Sequence, residues 1–312
     1  MDTFISSVTA VMLVFLLTAI GYFCAAKGWM DSSVKRFISK FLLTISVPFS
    51  CIYELTSKLN RADLIASLPY LLASLISMLL TFLLAYVTAK FLLRIQRNRL
   101  GIFLMMCCVT NAVFIGLPMC SGLFGTSCTV YVMMFYLINT FVIQLVCHPI
   151  VRSTGTLQSD HKTTLLDILK LPTVLGVLTG FALVALEIKL PNLINQLAKS
   201  ISGANIPLAL LFTGYIIHET GLKNLRIGRD HIAAMLFRFV VCPAFGVVTC
   251  ALLGVEGMAR DIMIVELAMP VLTMAVVYAS NYGADEEFAA QGTTLSTLLS
   301  FIVMPILMVI LS

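Results

Sequence analysis

Residues 99–125 read RLGIFLMMCCVTNAVFIGLPMCSGLFG, and residues 260–283 read RDIMIVELAMPVLTMAVVYASNYG. At 1.5 Å per helical residue, each stretch is long enough to cross a hydrocarbon core of about 30 Å. Each opens on an arginine, Arg99 or Arg260, and closes on a glycine, Gly125 or Gly283. Neither reads as one continuous helix. The first carries Asn111, Gly116 and Pro118 within eight residues, and the second carries Pro270 at the equivalent depth. Proline removes a backbone donor and clashes with the carbonyl one turn back, so both spans are expected to break near mid-membrane.

The chain around them has 312 residues, 60% hydrophobic and 11% charged, whereas soluble domains carry about 25% charged residues. A water-soluble domain is excluded, because so little polar surface cannot cover so much apolar volume. Apolar stretches are expected as helices at 4–26, 35–56, 64–92, 99–124, 127–150, 165–187, 193–219, 231–254, 260–281 and 288–311. The first has no basic leader and is expected to be a retained span. Nine cysteines are scattered without a C-x-x-C pair or a histidine cluster, so packing is their expected role and no metal site is expected. No Walker loop, G-x-G-x-x-G, H-E-x-x-H or G-x-S-x-G is present, which excludes an ATP-driven pump and leaves no enzyme signature. No cofactor is called for.

Landmarks recur at a nearly constant spacing. Gly21 and Gly180, Pro48 and Pro207, and Lys40 and Lys199 are each 159 residues apart; Arg99 and Arg260 are 161 apart, Gly125 and Gly283 158, and Pro149 and Pro305 156. Six matches in order argue for a duplicated unit, with residues 1–150 as a first five-helix repeat, 151–164 as a polar linker and 165–312 as a second repeat. Five spans per repeat make the second one inverted. Thirteen Lys and Arg residues, among them Lys27, Lys35, Arg36, Arg94, Arg99, Arg152, Lys162, Lys223, Arg226 and Arg229, flank the loops after spans one, three, five and seven. The positive-inside rule makes those loops and the linker cytoplasmic and both termini extracellular.

A broken span leaves unpaired carbonyls on one half-helix and unpaired N–H groups, carrying partial positive charge, on the other. With inverted repeats, the positive ends of both second half-helices can converge at the midplane, an arrangement suited to a carboxylate. The competing reading is that Pro118 and Pro270 only kink packed helices. Asn111 can donate to a substrate or hold helices together. Glu266, one turn before Pro270, is either a coupling group that binds a proton or cation, or half of an ion pair with Arg238. Lys40 and Lys199 are read as snorkelling, and His148 and His218 as weak signals.

In the first half, Asn111, Phe114, Gly116, Pro118 and Gly125 form an N-x-x-F-x-G-x-P pattern; in the second stand Ala268–Pro270, Ala279, Tyr282, Gly283, Thr297–Ser300 and Pro305. In these residues the whole chain resembles the auxin efflux carrier family, whose bacterial relatives include malate and malonate permeases. The resemblance implies a fold like that of bile-acid-type sodium symporters. Helices 1, 2, 6 and 7 would form a scaffold that often dimerises, and helices 3–5 and 8–10 a moving transport domain. Relatives often have an Asn just after the ninth-span proline; here that place reads Val271, Leu272, Thr273, Met274, which leaves Thr273 as the polar contact. The candidate substrate contacts are then Asn111, Phe114, Gly116, Pro118, Pro270, Thr273 and Asn281, with Glu266 for coupling to Na+ or H+. The expected function is a secondary transporter of a small organic anion in the cell membrane, a homodimer with no nucleic-acid partner. An anion channel through the same crossover is the alternative.

Overall fold

The computed structural model describes residues 2–61, 67–157, 169–221 and 225–311, all helices and connections, with no strand among them. The helices are α1 (Asp2–Ala26), α2 (Ser32–Lys58), α3 (Leu68–Leu93), α4 (Arg97–Cys108), α5 (Ala112–Phe124) and α6 (Thr126–Thr154). They continue as α7 (Pro172–Ala185), α8 (Asn192–Thr220), α9 (Arg229–Leu253), α10 (Gly257–Leu267), α11 (Ala275–Tyr282) and α12 (Glu286–Leu311). Six of these, α2, α3, α6, α8, α9 and α12, are each long and apolar enough to cross a membrane. Leucine, isoleucine, valine and phenylalanine side chains such as Leu83, Phe91, Leu92, Val248, Leu252 and Ile302 stand exposed along them, as a lipid-facing surface requires.

The stretches at 99–124 and 260–281 each divide into two helices, α4 with α5 and α10 with α11. The cause differs between them. Four π-helical turns, Leu42–Ser46, Ala112–Gly116, Ile143–Cys147 and Phe237–Val241, each end two residues before a proline: Pro48, Pro118, Pro149 and Pro243. A widened turn shifts the bonding register and makes room for a ring that cannot donate, so these prolines sit inside continuous helices. Pro118 is therefore absorbed within α5, and the break in this span lies earlier, at Val109–Asn111. Pro270 lies within the other break itself, between Leu267 and Ala275.

Small residues set the closest helix contacts. A Cβ on Gly21 would lie 2.3 Å from the Leu211 carbonyl oxygen, and one on Gly214 2.1 Å from that of Thr18, so α1 and α8 pack backbone to backbone. On α7, a Cβ on Gly176 would meet Pro48 Cα at 2.5 Å and one on Gly180 would meet Leu55 Cδ1 at 2.7 Å, which seats α7 on α2. Ser77 and Thr249 share a 2.6 Å hydrogen bond between α3 and α9. All nine cysteines are free, and eight are buried.

The polar connection expected at 151–164 starts later than the sequence suggests, because α6 runs on to Thr154. Its described part, Gly155–Leu157, is tied to the end of α11: Thr156 and Leu157 donate their amides to the Gly283 and Tyr282 carbonyls. Residues 158–164, Lys162 among them, and Lys223 lie outside the described residues, as does the start of the helix expected from residue 165.

Candidate functional site: the crossing of two broken helices

The two breaks meet at one point. Thr110 and Val271 pair as neighbouring antiparallel segments, and the Asn111 amide donates to the Pro270 carbonyl at 2.9 Å. The Asn111 side chain acts in two directions. Its Oδ1 accepts from the Phe114 amide at 3.3 Å and so caps α5, and its Nδ2 donates to Thr273 Oγ1 at 2.7 Å. Asn111 is 1% exposed, so an unpaired amide there would be costly.

Two further side chains hold the unwound segments. Asn139 on α6 accepts from the Thr110 amide at 3.2 Å and donates to the Thr110 carbonyl at 2.9 Å. Ser296 on α12 accepts from the Val271 amide at 3.0 Å. Asn139 and Ser296 are 157 residues apart, and each secures one of the two breaks. Reading the sequence missed both; the available signal was a polar residue at matched positions of two apolar spans.

Glu266 sits in the last turn of α10 and is fully buried. Its carboxyl lies against α5, where a Cβ on Gly116 would meet Oε1 at 2.5 Å and Oε2 at 2.6 Å; the glycine makes the space the carboxyl fills. Cys120 Sγ donates to Oε1 at 3.4 Å, while Oε2 has no hydrogen-bond partner among the described residues. The ion pair with Arg238 is absent. Arg238 is also fully buried, and its guanidinium donates only to backbone carbonyls: Met106 from Nε and Nη2 at 2.9 and 2.7 Å, Val109 at 2.8 Å and Leu267 at 3.3 Å.

A cleft of about 890 Å³ opens beside the crossing. Arg36 and Lys40 of α2, Phe212 and Glu219 of α8 and Glu286 and Glu287 of α12 line it, and on the α11 side it is bounded by Thr273, Met274 and Asn281. Lys35, also in its wall, pairs with Glu219. Of the sequence-predicted contacts, Asn111, Pro270 and Thr273 are joined directly, and Thr273 is where the cleft touches that group. Phe114 packs behind the wall against Phe212, ring centres 5.3 Å apart, and Gly116 faces Glu266. Pro118 is buried in α5 half a turn beyond Gly116, away from the cleft lining. Asn281 is exposed on the cleft wall, eight residues along the chain from Thr273.

A bundle of lipid-length apolar helices enclosing two interrupted ones, with a polar crossing beside a cleft, is built as a membrane transporter is built. Residues 6–308 match the membrane transport protein family, and the chain belongs to that family, which is the auxin efflux carrier family. It is similar to an uncharacterized transporter of Methanocaldococcus jannaschii, 23% identical over 297 residues that cover 94% of this chain and 95% of the relative.

Proposed function

We propose that this chain is a secondary transporter that moves a small organic anion, a carboxylate such as malate, malonate or an auxin-like acid, by alternating access. One observation carries the reading: the cleft is lined by Thr273, whose hydroxyl is bonded to the residue that caps α5. Thr273 also stands just before the first turn of α11, so the N-terminal ends of α5 and α11 face one place. Each helix end brings roughly half a positive elementary charge, and the substrate carboxylate binds between them.

In this reading ten spans, α4 with α5 and α10 with α11 counting as one each, form two inverted repeats. The packing supports it, since Gly21 meets Gly214 as Gly180 meets Leu55, and both members of one contact lie 159 residues from members of the other. Helices α1, α2, α7 and α8 are the scaffold, through which two copies associate, and the remaining helices form the moving domain in the cell membrane. The cleft mouth, with Arg36 and Lys40, faces the cytoplasm. Glu266 takes up a proton or cation during the cycle.

The test is uptake by proteoliposomes across a panel of malate, malonate, citrate, lactate and indole acetate, under separately imposed proton and sodium gradients. Saturable uptake of at least one carboxylate is expected. Uptake of cations alone, or conductance far above transporter turnover in a planar bilayer, would overturn the reading.

A further inference from the structure

Arg238 does work that the anion site does not account for. The side chain enters from the π-helical turn Phe237–Val241 of α9 and is 0% exposed. Its four hydrogen bonds go to Met106 and Val109 at the end of α4 and to Leu267, the last residue of α10. Met106 and Leu267 are 161 residues apart, the same spacing as Arg99 and Arg260 near the starts of those two helices. The guanidinium therefore bonds corresponding carbonyls of both first half-helices.

The charges balance. The last carbonyls of a helix lack partners within it, and the end carries about half a negative elementary charge. Two such ends converging supply about one negative charge, which one guanidinium neutralises. Its planar fork suits the task, since several N–H groups reach carbonyls in fixed directions at once. In transporters with discontinuous helices, carbonyl ends of this kind coordinate sodium. In this chain a side chain fills that place.

We propose that Arg238 is a resident cation that locks the ends of α4 and α10 into one body and stands in the place of a coupling sodium ion at the crossing. It is a positioning residue, holding the backbone from which the anion site projects, and it rests on the crossover reading given above. The carbonyl ends at the crossing then need no sodium, and any cation that Glu266 takes up is held apart from them. Exchanging the guanidinium for a neutral group leaves a cage of carbonyls from Met106, Val109 and Leu267 with about one uncompensated negative charge, the chemistry that captures a small monovalent cation.

The experiment needs no transported anion, so its failure is separable from a negative uptake panel. Full-length wild type, Arg238→Gln and Arg238→Lys are purified in detergent, and thermal unfolding is followed as NaCl replaces choline chloride at constant ionic strength. The wild type is expected to keep its melting temperature within about 1 °C, with no saturable response, because a filled cage offers sodium nothing to bind. Arg238→Gln, which keeps donors but loses the charge, is expected to melt lower in choline chloride and to recover at least about 3 °C as sodium saturates the cage. Arg238→Lys retains the charge and is expected to stay insensitive to sodium. A saturable sodium shift in the wild type that persists in Glu266→Gln overturns the proposal, and so does a folded Arg238→Gln that ignores sodium. If the glutamine variant does not fold, the wild-type and lysine titrations decide: insensitivity of both supports the resident cation, and a saturable response in either that persists when Glu266→Gln is added overturns it.

Discussion

Asn111 and Thr273 hold the two broken helices together, the Asn111 Nδ2 donating to the Thr273 hydroxyl at 2.7 Å across a sequence separation of 162 residues. The same asparagine caps α5 through Oδ1, so one side chain fixes both the start of that half-helix and its distance from α11. Of the two residues, Thr273 is the one that lines the cleft. The hydrogen bond is thus placed where a carboxylate could exchange with it.

Asn111→Ala is expected to leave folding nearly intact, Thr273→Val to cost about 1–3 kcal/mol because the buried Asn111 Nδ2 loses its acceptor, and both to impair uptake. A membrane interhelical hydrogen bond averages about 0.6 kcal/mol, and an N-cap about 1 kcal/mol, so neither loss unfolds a protein of this size. Half-maximal uptake is expected to require at least about tenfold more anion in Asn111→Ala, corresponding to about 1.4 kcal/mol. Size-exclusion profiles and uptake curves for the two variants and their double mutant measure this. Wild-type uptake in both single variants would move the site elsewhere.

Pro270→Ala is expected to act through the backbone alone. Alanine restores an N–H and permits helix between Leu267 and Ala275, which would draw Pro270's carbonyl away from the Asn111 amide and pair the free end of α11. Pro118→Ala makes the contrast, because that ring is absorbed by the widened turn Ala112–Gly116 and no break depends on it. Uptake is expected to fall several-fold or more in Pro270→Ala and to change little in Pro118→Ala. Equal effects in the two variants would contradict the assignment of the breaks.

The broken helices were legible because Asn, Gly and Pro interrupt runs that are otherwise apolar, and a half-membrane interruption has few other meanings. The exact place of the first break was not, since proline carries the same letter whether a helix breaks at it or widens before it. Arg238 shows a second limit. Sequence offers a buried arginine only charged side chains as partners, so Glu266 stood out, whereas the true acceptors are backbone carbonyls that every residue possesses. Asn139 and Ser296 went unread for a related reason: their partners are the amides of Thr110 and Val271, and nothing in a side-chain pattern marks an amide that the fold leaves unpaired.

The orientation proposed for the helices can be checked with single cysteines at Ser32, the first residue of α2, and Ser127, in the first turn of α6; both positions are exposed, and the proposed topology puts them on opposite sides of the membrane. An impermeant thiol reagent added to intact cells is expected to modify Ser127→Cys and to spare Ser32→Cys until the membrane is opened. The reverse pattern would turn the protein over in the membrane and place the cleft mouth outside.

Gly116 and Glu266 give the last prediction, because each occupies the space the other leaves. A methyl group at position 116 would lie 2.5 and 2.6 Å from the two carboxyl oxygens, well inside van der Waals contact, in a region with no exposed surface to relax into. Gly116→Ala is therefore expected to destabilise the protein by about 1–3 kcal/mol, the usual cost of overpacking. Glu266→Gln keeps the same outline and cannot relieve the clash, while Glu266→Ala removes the clashing atoms, so adding it to Gly116→Ala is expected to restore much of the lost melting temperature. Alone, Glu266→Gln tests the coupling role: it is expected to keep exchange of the anion across the membrane and to abolish dependence on the imposed gradient, since an amide cannot take up and release a proton or hold a cation as a carboxylate does. Unchanged gradient dependence in Glu266→Gln, together with compensating melts for the pair, would make Glu266 a packing residue that merely fills the notch opposite Gly116, whereas additive melts would show that the two do not share that space.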